Sequence, residues 1–304
     1  MAHAYIVDAV RTAGGKRGGK LAGIHPVDLG AAVFDAIAAR SDFDTSRIDD
    51  VITGCVSQGG QQTMDLGRNA VLASNLPDSI PAVTIDRQCG SSQQAMMFAA
   101  QAVMSGTQDI VLASGIESMT RVPMGSVATL FIKEGLGHYK SERLEEKYPG
   151  IMFSQFMGAE MIVKKHGFTK DDLDAYAFES HRRAKAATEA GRFQREIVGL
   201  DIDTPEGRQT HLIDEGIRFD ATLEGIAGVK LLAEGGRVLV DVNARTPRRK
   251  QPHEPHPLAR AVRREPGPVR VAGISTTVMD RAHPRFSGSE ELLAHALTLS
   301  LIHI

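Results

Sequence analysis

The chain has 304 residues, of which 42% are apolar, and its formal net charge is −2 at pH 7. This length can form one large or two ordinary domains with a substantial core. The charge balance argues against a nucleic-acid-binding protein, because no lysine-rich stretch is interleaved with aromatic residues. The two cysteines, Cys55 and Cys89, provide neither a disulfide framework nor paired metal-ligand spacing.

The start of the chain and the cysteine usage favour a cytoplasmic protein. The first residues run straight into an apolar strand, without the charged start and long apolar stretch of a signal peptide. The longest apolar runs are too short to span a membrane, and two cysteines fit a reducing compartment. We expect no membrane span, no metal site and no nucleic-acid partner.

Strand-like and helix-like stretches alternate through the first 118 residues. Near-continuous apolar strands alternating with helices predict an α/β fold with a largely parallel sheet covered on both faces. In such a sheet the ligand crevice lies beyond the carboxyl ends of the strands. The predicted strands are Tyr5–Val10, Val51–Cys55, Ala82–Ile85 and Asp109–Ser114, and the predicted helices are Pro26–Arg40, Met64–Ser74 and Ser91–Met104.

Two features of this region are interpreted as structural. The segment Gly14–Lys20 follows a strand and fits Gly-x-x-x-x-Gly-Lys, but the next residue is Leu21, so the Mg²⁺-binding hydroxyl of a phosphate-binding loop is missing. We interpret it as a flexible basic loop. Cys55 ends a strand, and no second cysteine or histidine lies at metal spacing from it, so we expect a small buried side chain.

Cys89 lies between the third predicted strand and the helix Ser91–Met104. That helix has almost no polar face, so we expect it to be buried. A cysteine at the N-terminus of a helix faces unpaired N–H groups and the positive end of the helix dipole, and both favour the nucleophilic thiolate. The alternative is a small buried hydrophobe, which most free cysteines are. Placement alone favours the reactive interpretation only slightly.

From Met119 onward the character of the sequence changes. Residues 121–150 are rich in Gly, Lys and Glu with little periodicity, which indicates an excursion from the sheet. Two helices are predicted next, Ser154–His166 and Asp171–Ala190. Thr169 is the candidate N-cap of the second, and Gly191 follows its end.

The last 61 residues, 244–304, differ in composition from the rest. They hold seven of the 13 prolines, five of the 11 histidines and 10 Lys/Arg against five Asp/Glu. The proline-rich start of this stretch can form neither a helix nor a central strand. Three explanations stay open, namely a reading frame lost near Val238, a truncated fragment, and a natural, divergent basic tail.

Three segments resemble the thiolases (acetyl-CoA C-acyltransferases), in that family's order and spacing. Asp86–Ala95, which reads Asp-Arg-Gln-Cys-Gly-Ser-Ser-Gln-Gln-Ala, resembles the nucleophile segment. Val7–Thr12 resembles the opening strand, and Gly115–Thr120 the strand-to-loop junction. The similarity runs from about residue 4 to about residue 237. The context of Cys89 also favours thiolases over the ketoacyl synthases, which share the fold and a nucleophilic cysteine.

The resemblance implies a layered α-β-α fold with a mixed, mainly parallel sheet, of which only the first of two repeated halves is present. Residues 1–118 would be the domain that carries the nucleophile. Residues 119–237 would be a helical loop domain covering coenzyme A. We interpret residues 238–304 as a non-native or disordered tail.

The resemblance also implies roles for five residues. Cys89 would be the acyl-accepting nucleophile, and its own N–H and that of Gly90 would assist an oxyanion. Phe156 and Met157 occupy the place of a His-Met pair that contacts the pantetheine, and phenylalanine there points to a bulky-acyl or lipid-handling branch. Arg218 would lie near the adenosine phosphates. Core packing for Met157 and a solvated loop for Arg218 are the alternatives.

Two functional hypotheses follow from the resemblance. The first is acyl transfer between the cysteine and coenzyme A in lipid breakdown, with acyl-CoA and CoA as substrates, no permanently bound cofactor, and a homodimer or homotetramer assembled through residues 60–110. The second is a catalytically incomplete fragment without turnover. The second hypothesis rests on the missing Asn-Glu-Ala-Phe, Gly-His-Pro and Cys-x-Gly-Gly-Gly segments of the family.

Overall fold

The structure of the chain is a computed structural model, and it describes residues 3–205, 207–231, 235–236 and 276–280. The strands in chain order are β1 (Tyr5–Thr12), β2 (Asp50–Gly54), β3 (Ala82–Ile85), β4 (Ile110–Gly115), β5 (Ile197–Val198), β6 (Leu200–Thr204), β7 (Gly207–His211) and β8 (Thr276–Asp280). The helices are α1 (Pro26–Arg40), α2 (Leu66–Ala73), α3 (Ser91–Ser105), α4 (Ser126–Lys133), α5 (Glu142–Lys147), α6 (Gln155–His166), α7 (Lys170–Glu189) and α8 (Leu223–Ala227).

The described strands form a six-stranded mixed sheet and a separate hairpin. The order in the large sheet is β3-β2-β4-β8-β1-β5, and β6 pairs with β7. β2 is parallel to β3 and β4, and β1 is parallel to β5, whereas β8 runs antiparallel to both of its neighbours, β4 and β1. The expected mixed, mainly parallel sheet is confirmed.

Helices cover both faces of this sheet because its central strands are apolar on both sides. In β2, Val51 faces the core that α1 and α2 build, and Ile52 faces the core of α3. In β4, Leu112 faces the core of α1 and α2, and Val111 faces the core of α3. The result is the predicted α-β-α layering, with α1 and α2 on one face and α3 on the other.

The helix limits in this region follow local chemistry. α1 spans the predicted Pro26–Arg40, with proline at its start, where the missing N–H costs nothing. α2 begins two residues later than predicted, because Met64 and Asp65 both have a φ of 56°, which is incompatible with a right-handed helix. The Asp65 carboxylate then caps α2 by accepting the N–H of Arg68.

The expectation that α3 is buried all round is wrong. Ala95, Met96 and Ala99 face the sheet and are fully buried, but Phe98 and Met104 on the opposite face are each 39% exposed. An apolar sequence shows that a helix can be buried on every side, not that the described chain supplies a partner for each side.

Residues 119–205 and 207–231 contain helices, the hairpin of β6 and β7, and the short strand β5. The excursion predicted for residues 121–150 contains two short helices, α4 and α5, which its weak periodicity concealed. α7 begins one residue earlier than predicted, capped by Thr169, whose hydroxyl accepts the N–H of Asp172 while the Asp172 carboxylate accepts the N–H of Thr169. The predicted Gly191 follows α7 with a φ of 68°.

The sheet crosses both domain boundaries that the sequence suggested. β5, from residues 119–237, pairs with β1, and β8, from residues 238–304, lies between β1 and β4. Thr276–Asp280 lie within the stretch interpreted as a non-native or disordered tail, and they form a strand that pairs on both sides. The other residues of that predicted tail lie outside the described residues.

Across the described ranges, no helix combines the length and the apolar character that crossing a membrane requires.

Candidate active site

Cys89 lies beyond the carboxyl end of β3, one residue before Gly90, the N-cap of α3. Its side chain is exposed, whereas that of Cys55 is buried. The arrangement places the Cys89 thiol in the crevice position of a parallel sheet and next to the N-terminal turn of a helix.

Two glycines allow α3 to begin directly on the ends of the strands. A Cβ atom at Gly54 would lie 2.3 Å from the backbone N of Ser92, and a Cβ atom at Gly115 would lie 2.5 Å from the Ser92 Cβ. Distances this short are forbidden between non-bonded atoms. Glycine at both strand ends therefore fixes how closely the first turn of α3, and with it Cys89, approaches the sheet.

The backbone before α3 forms a tight turn with Cys89 near its apex. The N–H of Gly90 donates to the carbonyl of Arg87 at 3.1 Å, and the N–H of Ser91 donates to the carbonyl of Gln88 at 2.9 Å. Gln88 has a φ of 48°, in the left-handed region. A non-glycine residue held there next to a nucleophile is a common feature of reactive turns.

In this turn, the two N–H groups expected to assist an oxyanion differ in their availability for hydrogen bonding. The Gly90 N–H is occupied by the Arg87 carbonyl, whereas the Cys89 N–H has no acceptor within the described part of the chain. Only the Cys89 N–H is free to bind a developing oxyanion without breaking a protein hydrogen bond.

The start of α6 contacts the thiol. Cys89 Sγ lies 3.8 Å from Gln155 Oε1, which accepts the S–H hydrogen bond. Sequence analysis did not select Gln155, and the one available signal was its position next to Phe156. The contact joins the predicted loop domain to the nucleophile.

The residues predicted to hold coenzyme A occupy different settings. Phe156 and Met157 follow Gln155 in α6, so both lie within one helical turn of the thiol contact. Phe156 is half-buried, and Met157 is 62% exposed, which argues against core packing for Met157. Arg218 is exposed, and its backbone N–H donates to Nδ1 of the buried His181 at 3.2 Å.

An ion-pair cluster anchors the segment that precedes Arg218. Arg11 of β1 donates to Asp214 Oδ1 at 2.7 Å and to Glu196 Oε1 at 2.6 Å, with Arg11 and Asp214 only 5% and 4% exposed. Asp214 Oδ1 also accepts the N–H of Gly14 at 2.6 Å. The loop Gly14–Lys20 thus packs against this segment, and no α-helix follows it until α1. The loop lacks the helix that a phosphate-binding loop requires.

Cys55 is confirmed as a buried side chain, in a polar network behind the site. Glu117 accepts the N–H groups of Val56 and Ser57 and the side-chain amide of Gln62. Burial, followed by the negative charge of Glu117, raises the pKa of the Cys55 thiol far above its usual range. Cys55 therefore stays protonated, and Cys89 is the cysteine available for nucleophilic chemistry.

Among the residues that the structure describes, no histidine hydrogen-bonds Cys89, and no group of three or more His, Cys, Asp and Glu side chains could hold a metal ion. The predicted tail histidines His253, His256, His283, His295 and His303 lie outside the described residues.

Comparisons with known proteins agree with this geometry. The family profile described as "Thiolase, N-terminal domain" matches residues 4–238. The chain is 44% identical over 240 residues to the steroid 3-ketoacyl-CoA thiolase FadA6 of Mycobacterium tuberculosis, covering 78% of this chain and 58% of that protein. It is 38% identical over 230 residues to a 3-ketoacyl-CoA thiolase of a Psychrobacter species, covering 74% and 56%. The chain therefore spans less than two thirds of these relatives.

Two solved structures resemble the fold. Bacillus anthracis acetyl-CoA acetyltransferase superposes with a TM-score of 0.69 at 26% identity, over 92% of this chain and 66% of that one. Human mitochondrial 3-ketoacyl-CoA thiolase superposes with a TM-score of 0.67 at 27% identity, over 78% and 61%.

Proposed function

The chain belongs to the thiolase family, and we propose that it transfers acyl groups between Cys89 and coenzyme A. The exposed thiol at the start of α3 carries the proposal, because its position next to a helix N-terminus and to a free N–H suits attack on a thioester carbonyl. The buried and protonated Cys55 offers no competing nucleophile.

The chemistry proceeds in two half-reactions. The Cys89 thiolate attacks the carbonyl of an acyl-CoA, the oxyanion forms beside the Cys89 N–H, and the carbon–sulfur bond to coenzyme A breaks. Coenzyme A leaves as a thiolate that takes up a proton. With a 3-ketoacyl-CoA the bond that breaks is carbon–carbon, and acetyl-CoA leaves after protonation. A second coenzyme A thiol then takes the acyl group from Cys89.

Coenzyme A would lie along α6 toward the loop of Arg218. Met157 is exposed one helical turn or less from the thiol contact, as a wall for the pantetheine requires, and Phe156 beside it offers an apolar surface to the acyl chain. The exposed guanidinium of Arg218 suits the adenosine phosphates. No permanently bound cofactor is included in this proposal.

Lipid breakdown is the proposed context. Two of the relatives are named as a steroid 3-ketoacyl-CoA thiolase and a 3-ketoacyl-CoA thiolase. The apolar Phe156 at the start of α6 is consistent with a bulky acyl group. We further propose a cytoplasmic protein that assembles as a homodimer or homotetramer through residues 60–110, which include the sheet-edge strand β3.

The second candidate is a chain that accepts an acyl group but does not turn over. In the described residues Cys89 contacts an amide, Gln155, and no histidine base. Losing a positioned base typically costs about 10²–10⁴-fold in rate. A site of this kind would stop after the first half-reaction.

Thiolysis of acetoacetyl-CoA by the purified chain, with Cys89→Ala as control, distinguishes the two. The first candidate predicts acetyl-CoA formation over many turnovers that is lost in the variant. The second predicts at most one equivalent of product per chain. No Cys89-dependent product at all would contradict both.

A further inference from the structure

Ser91 is the first residue of α3 and lies two residues after the nucleophile. It is only 4% exposed, although Cys89 beside it is exposed. A buried hydroxyl requires hydrogen-bond partners. The two closest partners of the Ser91 hydroxyl are backbone groups that lead into Cys89, and Asp86 Oδ1 lies farther away, at 3.5 Å.

The Ser91 hydroxyl hydrogen-bonds the backbone of two successive residues, Arg87 and Gln88. Its Oγ accepts the N–H of Arg87 at 2.9 Å and donates to the carbonyl of Gln88 at 2.6 Å. Because a hydroxyl has a single hydrogen to donate, this donation commits Ser91 to the backbone rather than to the thiol.

The residue held by these bonds is strained. Gln88 has a φ of 48°, a conformation that costs a non-glycine residue free energy and persists only where its surroundings fix it. Its carbonyl accepts from both the hydroxyl and the N–H of Ser91, and its N–H donates to Asp86 Oδ1 at 2.6 Å. The Gln88 peptide precedes Cys89 directly, so its orientation determines where the Cys89 N–H and Cβ point.

We propose that Ser91 is a positioning residue for the nucleophile. By fixing the Gln88 peptide, its hydroxyl keeps the Cys89 thiolate beside the N–H groups of the first turn of α3 and keeps the Cys89 N–H free for the oxyanion. This inference rests on the proposed function, in which Cys89 is the group that attacks.

The test compares Ser91→Ala with Ser105→Ala. Ser105 lies at the other end of α3, where its hydroxyl donates to the carbonyl of Ala102 at 2.8 Å, so it controls for losing a local hydroxyl–carbonyl bond in the same helix. The rate of Cys89 alkylation by iodoacetamide is measured from acid to alkaline pH, and folding is checked by circular dichroism.

In Ser91→Ala we expect alkylation of Cys89 about 3-fold to 10-fold slower at every pH measured, because the released Gln88 peptide no longer holds the thiol beside the N–H groups of the first turn of α3. Ser105→Ala should match the unmodified chain. A role in folding alone would expose the thiol further, so it would not slow its alkylation. An unchanged profile, or faster alkylation at every pH, would overturn the inference.

Hydrogen exchange of the unmodified chain provides a second measurement that does not depend on the variant folding. The Arg87 and Gln88 amides should exchange far more slowly than the Cys89 amide, and equal fast exchange of all three would also overturn the inference. Two results together would separate this inference from the proposed function. If Ser91→Ala slows alkylation but the unmodified chain forms no acyl-Cys89 from acetyl-CoA, the proposed function is wrong and the positioning role of Ser91 stands.

Discussion

Gly54 and Gly115 are direct partners across β2 and β4, at the last position of each strand. Together they form a flat platform without side chains, on which the first turn of α3 rests. A Cβ atom on Gly54 would meet backbone atoms of Ser91 and Ser92, and one on Gly115 would meet the side chain of Ser92. The position of the nucleophile is therefore set by two residues that sequence reasoning did not select.

A side-chain exchange tests this platform. Gly115→Ala should destabilise the chain by about 1–3 kcal/mol, because the added methyl overlaps the Ser92 Cβ. Ser92→Gly removes that Cβ, so the double variant Ser92→Gly/Gly115→Ala should be more stable than Gly115→Ala alone. Urea unfolding gives the free energies. Destabilisations that simply add in the double variant would contradict the contact.

The two cysteines should differ sharply toward a thiol reagent. Cys89 is exposed, whereas Cys55 is buried with its pKa raised by burial and by Glu117. Iodoacetamide at neutral pH should modify Cys89 alone, and Cys55→Ala should leave the labelling unchanged. Peptide mapping by mass spectrometry gives the sites. Labelling of Cys55 in the folded chain at a rate comparable with Cys89 would contradict the burial of the Cys55 thiol beside Glu117.

The pair between Arg11 and Asp214 should contribute strongly to stability. Asp214→Asn leaves a buried guanidinium with part of its charge uncompensated, and removing one partner of a buried pair typically costs about 3–5 kcal/mol. The matched control is Asp201→Asn, whose partner Arg208 is solvent-exposed, and which should change the urea midpoint little. Equal effects of the two substitutions would contradict the assigned burial.

Asp50 should make stability depend on pH. Burial raises its pKa above the ordinary 3.8, although the hydrogen bond from Gln108 opposes the shift. A folded-state pKa above the unfolded one means that stability falls as the pH rises through the window above 3.8. Asp50→Asn should therefore be more stable than the unmodified chain at pH 7, with the difference vanishing as the pH approaches 3.8.

Local signals in the sequence were sufficient for much of the first 118 residues. Proline at the start of α1 and the apolar runs of β2 and β4 act within a few residues, so the corresponding elements could be predicted. Other features depend on distant contacts. β8 begins with the β-branched residues Thr276, Thr277 and Val278, but a run this short predicts a strand only when β1 and β4 provide hydrogen-bonding edges on both of its sides.

The residues of the candidate site likewise include some that local sequence signals indicate and some that only the folded structure brings in. Cys89 could be selected from its position between a strand and a helix. Gln155 lies 66 residues away and becomes part of the site only through folding. Ser91 lies inside the segment Asp86–Ala95, but its role depends on the φ of Gln88, which the residue type does not indicate. Sequence reasoning therefore located the nucleophile but not the groups that hold it.

The most direct test of the account is the intact mass of the chain after incubation with acetyl-CoA, followed by peptide mapping, with Cys89→Ser treated in parallel. Acetyl transfer to the Cys89 thiol releases one coenzyme A per chain, and we predict one acetyl group, located on Cys89 and absent from the variant. An unmodified chain, or an acetyl group on another residue that persists in Cys89→Ser, would contradict the assignment of Cys89 as the acyl-accepting nucleophile.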